Sequence, residues 1–400
     1  MRLLLLAAAL AISTLGSAQG PPPAQVLDSR TFNTKGHPTE AIWTPDGQYI
    51  LVTVSRADPI LSGIEVFRVE GPKLKRVAFE PLGDDPAQGI VLIPNTRTLA
   101  VGLSNAGVVF LSLDGVLQGK ADPYVLKQGD RSGSGYLAAT PDGKTLFVAN
   151  EYLHGGSVGV IALRRDPKGR VVPEAIAQVP TPLATPGIAL SPDGKRLYAV
   201  DEVLAKDLPE RLPGFHTPEL QHGNCFQAAG SPASANGGLF VIDSAKAAAP
   251  PTDFSPQHNR DATLQLVNSG CSPARIAVSS DNRTVYVTAR GDDNVLVFDA
   301  AALEHNPEHA FLRAIPTGGV APVGLALFDN DRKLLVANSN RFLSGPGNAT
   351  VIDLSDPAKA AVVQTIKTGE FPRNITASPD GRSLLLTVFS DDQLMILTLK

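Results

Sequence analysis

From residue 273 to 299 the chain reads PARIAVSSDNRTVYVTARGDDNVLVFD. Three short runs alternate apolar and polar positions, IAVS, TVYVTA and NVLVFD, separated by a Ser-Asp-Asn turn and a polar Arg-Gly-Asp-Asp loop. This pattern predicts three antiparallel strands. A sheet so small cannot cover both of its faces, so similar sheets must pack against it.

The unit recurs. Its turn is TPDGQY at 44–49, TPDGKT at 140–145, SPDGKR at 191–196 and SPDGRS at 378–383, with looser copies IPNTRT at 93–98, SSDNRT at 279–284 and FDNDRK at 328–333. Aligned on the Pro of the turn, the seven anchors fall at 45, 94, 141, 192, 280, 329 and 379, a period of roughly 50 with one long gap. Pro presets φ and Gly accepts positive φ, so Pro-Asp-Gly turns the chain between a first and a second strand. A third strand ending near an Asp follows, then a fourth. Four strands in each of seven units predict an all-β, seven-bladed β-propeller of four-stranded antiparallel blades. The last unit stops after its third strand, so VLDSRTFNT at 26–34 is expected to supply the missing outer strand and close the ring.

SPDGKRLYAV, SSDNRTVYVTARGDDNVLVFD and DNDRKLLVANSN resemble the YVTN-type β-propeller repeat family, and more loosely the lactonase-like seven-bladed propellers. The resemblance implies one propeller over 26–400. Trp43 is the sole Trp, so a repeated Trp-Asp signature is missing.

Composition changes the picture in three places. Gly 36 and Pro 33 supply the turns such a fold consumes. A net charge of −4 without a Lys/Arg run gives no support for a nucleic-acid partner or for membrane insertion. Residues 1–18, MRLLLLAAALAISTLGSA, carry one basic residue, a short apolar run and small residues at the end, which reads as a cleaved signal peptide. The expectation is a secreted or periplasmic monomer with a Pro-rich leader at 19–25.

The long gap places an insertion at 202–237, rich in Pro, Gly and Ala. Loops of that length are commonly functional or disordered. It holds Cys225, one of only two cysteines; the other, Cys271, precedes the fifth unit. In an oxidising compartment two cysteines with none left over are expected to form a disulfide.

In a propeller of this kind the first strand begins, and the second ends, on one face, here called the top. Five positions before each anchor, a ring is expected at the mouth of the central channel: Glu40, Gly89, Tyr136, Gly187, Arg275, Gly324 and Asn374. The neighbouring top loops add His37, Glu151, His154, Asp201, Glu202, Arg290, Asn338, Arg341 and Arg373. This mixture suits a carboxylate or other polar ligand. No cofactor or metal is implied: His305-x-x-Glu308-His309 has zinc-like spacing, but Pro307 breaks the helix such a site needs.

Three functions remain open. The chain is read first as an exported module that binds a small molecule or a protein through its top face. As a lactonase-type hydrolase it would use Glu151, His154 or Glu40 as base and Arg275 or Arg373 to polarise a carbonyl, with no metal. As a structural repeat protein it would need no small-molecule site.

Overall fold

The computed structural model describes residues 26–57, 60–127, 133–151, 156–182, 184–202, 215–216, 236–249, 260–341 and 344–399. The expected signal peptide and leader, His154, Cys225 and most of the insertion lie outside them.

Each Pro-Asp-Gly turn is built the same way. In Thr44, Thr140, Ser191, Ser279 and Ser378 the hydroxyl donates to the carboxylate two residues on, at 2.6 to 2.7 Å. The turn is closed by a backbone bond from residue i+3 to residue i, as from Gly47 to Thr44 at 2.8 Å. Position i+3 takes φ near +60° to +70°, as Gly47, Gly143, Gly194 and Gly381 do, and Asn282 replaces Gly there at φ +61°.

The strands assemble into seven sheets. Blade one holds His37–Trp43, Tyr49–Ala57, Ile60–Glu70 and Lys73–Gly83 from channel to rim. Blade two starts at Ala87–Leu92, blade three at Ser134–Ala139, blade four at Gly187–Leu190, blade five at Pro273–Val278, blade six at Pro322–Phe328 and blade seven at Pro372–Ala377. Blade seven is completed from the other end of the chain: Val26–Asn33 pairs antiparallel with Gln393–Leu399. The ring is closed as the repeat implied.

Blade four departs from the expected four strands. Phe215–His216, from within the insertion, pairs in parallel with Thr263–Cys271 and makes a fifth. Two residues are too few for alternation to show in sequence.

The second strands were read as alternating, yet Thr145–Asn150 is buried at every position. A blade is covered on both faces by its neighbours, so both sides of its strands must be apolar. The core accordingly divides into seven clusters, one between each pair of adjacent blades. Where third strands end, Asp243 and Asp299 cap short helices at Ser244–Ala248 and Ala300–His305. Pro307–His309 forms a separate 3-10 turn, so His305 and His309 do not share a helix.

Candidate functional site at the channel mouth

The ring arises from a backbone irregularity. In six blades the pairing of first and second strands shifts register at the top end, between Pro38 and Glu40, Ala87 and Ile90, Ser134 and Leu137, Pro273 and Ile276, Pro322 and Leu325, and Pro372 and Ile375. Bulges re-aim side chains and release backbone groups from the ladder. The seven ring residues lie at these points, or at the equivalent position of blade four.

Glycine alternates with larger residues around the ring because the first strands converge. A Cβ on Gly187 would lie 2.4 Å from the Ala274 carbonyl oxygen, and one on Gly324 2.4 Å from that of Arg373. The glycines therefore serve close backbone approach.

The larger residues meet across these gaps. Asn374 donates through Nδ2 to Glu40 Oε1 at 2.8 Å, and the Ile90 backbone N–H donates to Glu40 Oε2 at 2.8 Å. Loss of hydration pushes the Glu40 carboxyl above the ordinary 4.5, against the Ile90 and Asn374 hydrogen bonds and the charges of Arg275 and Arg373. Arg275 lies 3.5 Å over the Tyr136 ring and donates through Nη1 to the carbonyls of Pro186 (2.6 Å) and Ala274 (2.8 Å). Arg275 Nε and Tyr136 Oη are buried without a hydrogen-bond partner among the described residues.

Arg373 donates to Gln88 Oε1 at 3.1 Å, reaching past blade one to blade two. Its guanidinium stands 5.1 Å from the Phe389 ring and 6.0 Å from the Phe371 ring. Arg341 approaches Phe371 at 5.8 Å; burial, then the charges of Arg290 and Arg373, pull its pKa down. His37 stacks on Phe389 at 4.8 Å, with Nδ1 3.0 Å from the Phe389 carbonyl and 2.8 Å from Asp392 Oδ1. One side of the mouth is thus an aromatic pair ringed by His37, Arg341 and Arg373.

The other expected residues occupy second-strand ends or the positions just beyond them. Asp201 is fully buried and accepts the Ala184 N–H at 3.3 Å. Asn338, also buried, donates to Asn348 at 2.7 Å and Thr350 at 3.2 Å. Arg290 is buried against Glu202 at 2.5 Å and Ser272 at 2.7 Å. Glu151 is exposed, bridged by its backbone to Ala184. Cys271 is fully buried at the end of the fourth strand of blade four.

Gln88, Phe371 and Phe389 join the site without having been singled out. Phe371 adopts φ +55°, a left-handed conformation that a Phe gives no hint of in sequence.

Residues 244–344, about a quarter of the 400, match the family described as "Lactonase, 7-bladed beta-propeller". The whole ring is a seven-bladed propeller, and this stretch of it is similar to that family. Its shape is shared widely. A hydrazine synthase chain of Kuenenia stuttgartiensis superposes with a TM-score of 0.63 at 14% identity, over 92% of this chain and 97% of that one. A chain in a mitotic checkpoint complex does so with 0.64 at 12% identity, over 98% and 99%. At such identities this propeller shares a fold with these proteins, and its chemistry must be argued from its own mouth.

Proposed function

We propose that this protein is an exported binding module whose channel mouth holds a small carboxylate-bearing molecule. Arg275 and Arg373 face the anion, and Glu40, Asn374 and Tyr136 form the hydrogen-bonding wall. The observation that carries this reading is the pair of buried polar atoms, Arg275 Nε and Tyr136 Oη, which have no hydrogen-bond partner among the described residues at the point where three blades converge. Such atoms normally have partners in a folded protein, and a ligand or water supplies them here.

Calorimetry and thermal-shift titration against a panel of mono- and dicarboxylates test it. Arg275→Ala should weaken a carboxylate that binds by about tenfold or more, the worth of one hydrogen bond to a charged group. If no carboxylate in the panel binds the folded protein, or if Arg275→Ala binds as well as the parent, the reading fails.

The match of residues 244–344 to the lactonase family and the raised Glu40 carboxyl favour a second reading, lactone hydrolysis at the same mouth. Glu40 as carboxylate would take a proton from water, whose oxygen adds to the lactone carbonyl polarised by Arg275. The ring C–O bond then breaks as Glu40 returns that proton to the leaving oxygen, giving a hydroxy acid. Turnover of a lactone panel should rise through a midpoint above 4.5 and be abolished in Glu40→Gln. No turnover by folded protein removes this second reading.

The Cys225–Cys271 bridge belongs to the same proposal, tying the insertion to the rim. It is supported by the complete burial of Cys271 and by the lack of a free cysteine among the described residues. Closing 47 residues would stabilise the fold by about 4 kcal/mol in the chain-entropy model. Peptide mapping without reduction should recover the two cysteines in one linked peptide, and two free thiols would refute the bridge.

A further inference from the structure

The position eight residues after each anchor, on the second strand, is Thr53, Gly102, Ala149, Val200, Thr288, Ala337 and Thr387. Threonine occurs in three blades of seven. Those are the three whose ring residue is Glu40, Arg275 or Asn374, the charged and amide members of the ring.

Each threonine makes the same two contacts. Its Oγ1 accepts the backbone N–H of its own ring residue: Glu40 to Thr53 at 3.1 Å, Arg275 to Thr288 at 2.9 Å and Asn374 to Thr387 at 3.0 Å. The same hydroxyl donates to a backbone carbonyl of the next blade: Thr53 to Gln88 at 2.6 Å, Thr288 to Val323 at 2.9 Å and Thr387 to Thr39 at 3.3 Å. All three are buried to within 1% of completely.

The bulge explains why a hydroxyl is useful there. Beside it the ring residue's N–H turns to a side-chain acceptor on the second strand, and a buried N–H without an acceptor is costly. A Thr hydroxyl both accepts that N–H and uses its own proton on the neighbouring blade. The ring residue is thereby fixed to two blades at once. In blade two the space is lacking: a Cβ on Gly102 would lie 2.7 Å from the carbonyl oxygens of Ser134 and Gly135.

We infer that Thr53, Thr288 and Thr387 are positioning residues, which lock Glu40, Arg275 and Asn374 in place at the mouth. The inference rests on the mouth being the binding site, and it adds which of its ligand-facing residues are braced from behind. A site held to within a fraction of an ångström needs such support behind the groups that touch the ligand.

The test is made on ligand-free, 15N-labelled protein, so that its outcome does not depend on whether any carboxylate binds. Solvent exchange of the Arg275 Nε–H is measured in the parent, Thr288→Val, Thr288→Ser and Thr350→Val. Thr350 is the control: it is fully buried and donates to the Thr317 carbonyl at 2.7 Å, but it holds no ring residue. Thr288→Val should speed exchange by about fivefold or more, the factor one net hydrogen bond supplies. Thr288→Ser should restore the parent rate to within about twofold, since it keeps the hydroxyl, and Thr350→Val should leave the rate unchanged. A smaller effect of Thr288→Val, an equal one from Thr350→Val, or failure of the serine to restore it overturns the assignment. Should Thr288→Val unfold, Thr387→Val read at the Asn374 side-chain amide gives the same test in blade seven.

Discussion

A chain that begins at Thr34, lacking Val26–Asn33, is expected to lose its cooperative fold. That segment faces Gln393–Leu399 through seven paired positions and is the outer strand of blade seven. Without it, Gln393–Leu399 becomes an open edge, and Phe32 no longer packs against the cluster between blades seven and one. The ladder bonds at about 1 kcal/mol net each and the Phe32 contact at about 2 kcal/mol make the loss on the order of 5 kcal/mol or more. An unpaired edge also invites association with other chains. Size-exclusion chromatography and urea unfolding decide it: self-association and a lower or broadened transition are expected. A sharp transition at the parent midpoint would show that closure contributes nothing.

Asp353→Asn is expected to be the most damaging single substitution of a charged residue in blade six. Asp353 lies directly across the sheet from Lys333, whose ammonium it meets at 2.7 Å. The Lys333 side chain is 2% exposed and has no room to turn toward water. Removing the carboxylate leaves that charge buried and uncompensated, at about 3 kcal/mol. Lys333→Met should cost well under half as much, because Asp353 is 30% exposed and can hydrate. Equal costs would contradict the argument.

The pH dependence follows from the same pair. Burial pushes the Asp353 carboxyl up, but the Lys333 ammonium and the Ser355 backbone N–H more than reverse this and hold it at about 2, below the ordinary 3.8. A carboxyl depressed on folding binds fewer protons in the native state than in the unfolded state, so its contribution is complete above 3.8. It fades as the pH falls through about 2 and is absent in Asp353→Asn. Parent and variant should therefore differ in stability at neutral pH and converge in strong acid.

The propeller was legible because its instructions are local. Ser or Thr, Pro, Asp and Gly act within one turn, and seven copies at a near-constant spacing set the number of blades. Even the closing strand could be inferred, since the seventh unit is one strand short. Chemistry carried by two contiguous residues of a strand was not legible, as Phe215–His216 shows.

The mouth was half legible. Counting back from each anchor named Glu40, Arg275 and Asn374. It could not say that Arg373 reaches Gln88 across 285 positions of chain, or that Asn374 meets Glu40 across 334. Nor could it tell that Asp201 and Asn338, assigned to the neighbouring top loops, sit buried among backbone and neighbouring side chains. Residue type and repeat position are the same kind of information for all of them.

The sequence by itself determined the repeat, the turns, the all-β class, the number of blades and the route by which the ring closes. Each depends on contacts within a few residues or on counting. Tertiary structure alone decided which polar side chains face one another at the mouth, that the glycines there serve close approach, and that three threonines brace three of the seven ring residues. Those outcomes depend on how closely separate blades converge on the channel, a distance set by packing around the whole ring.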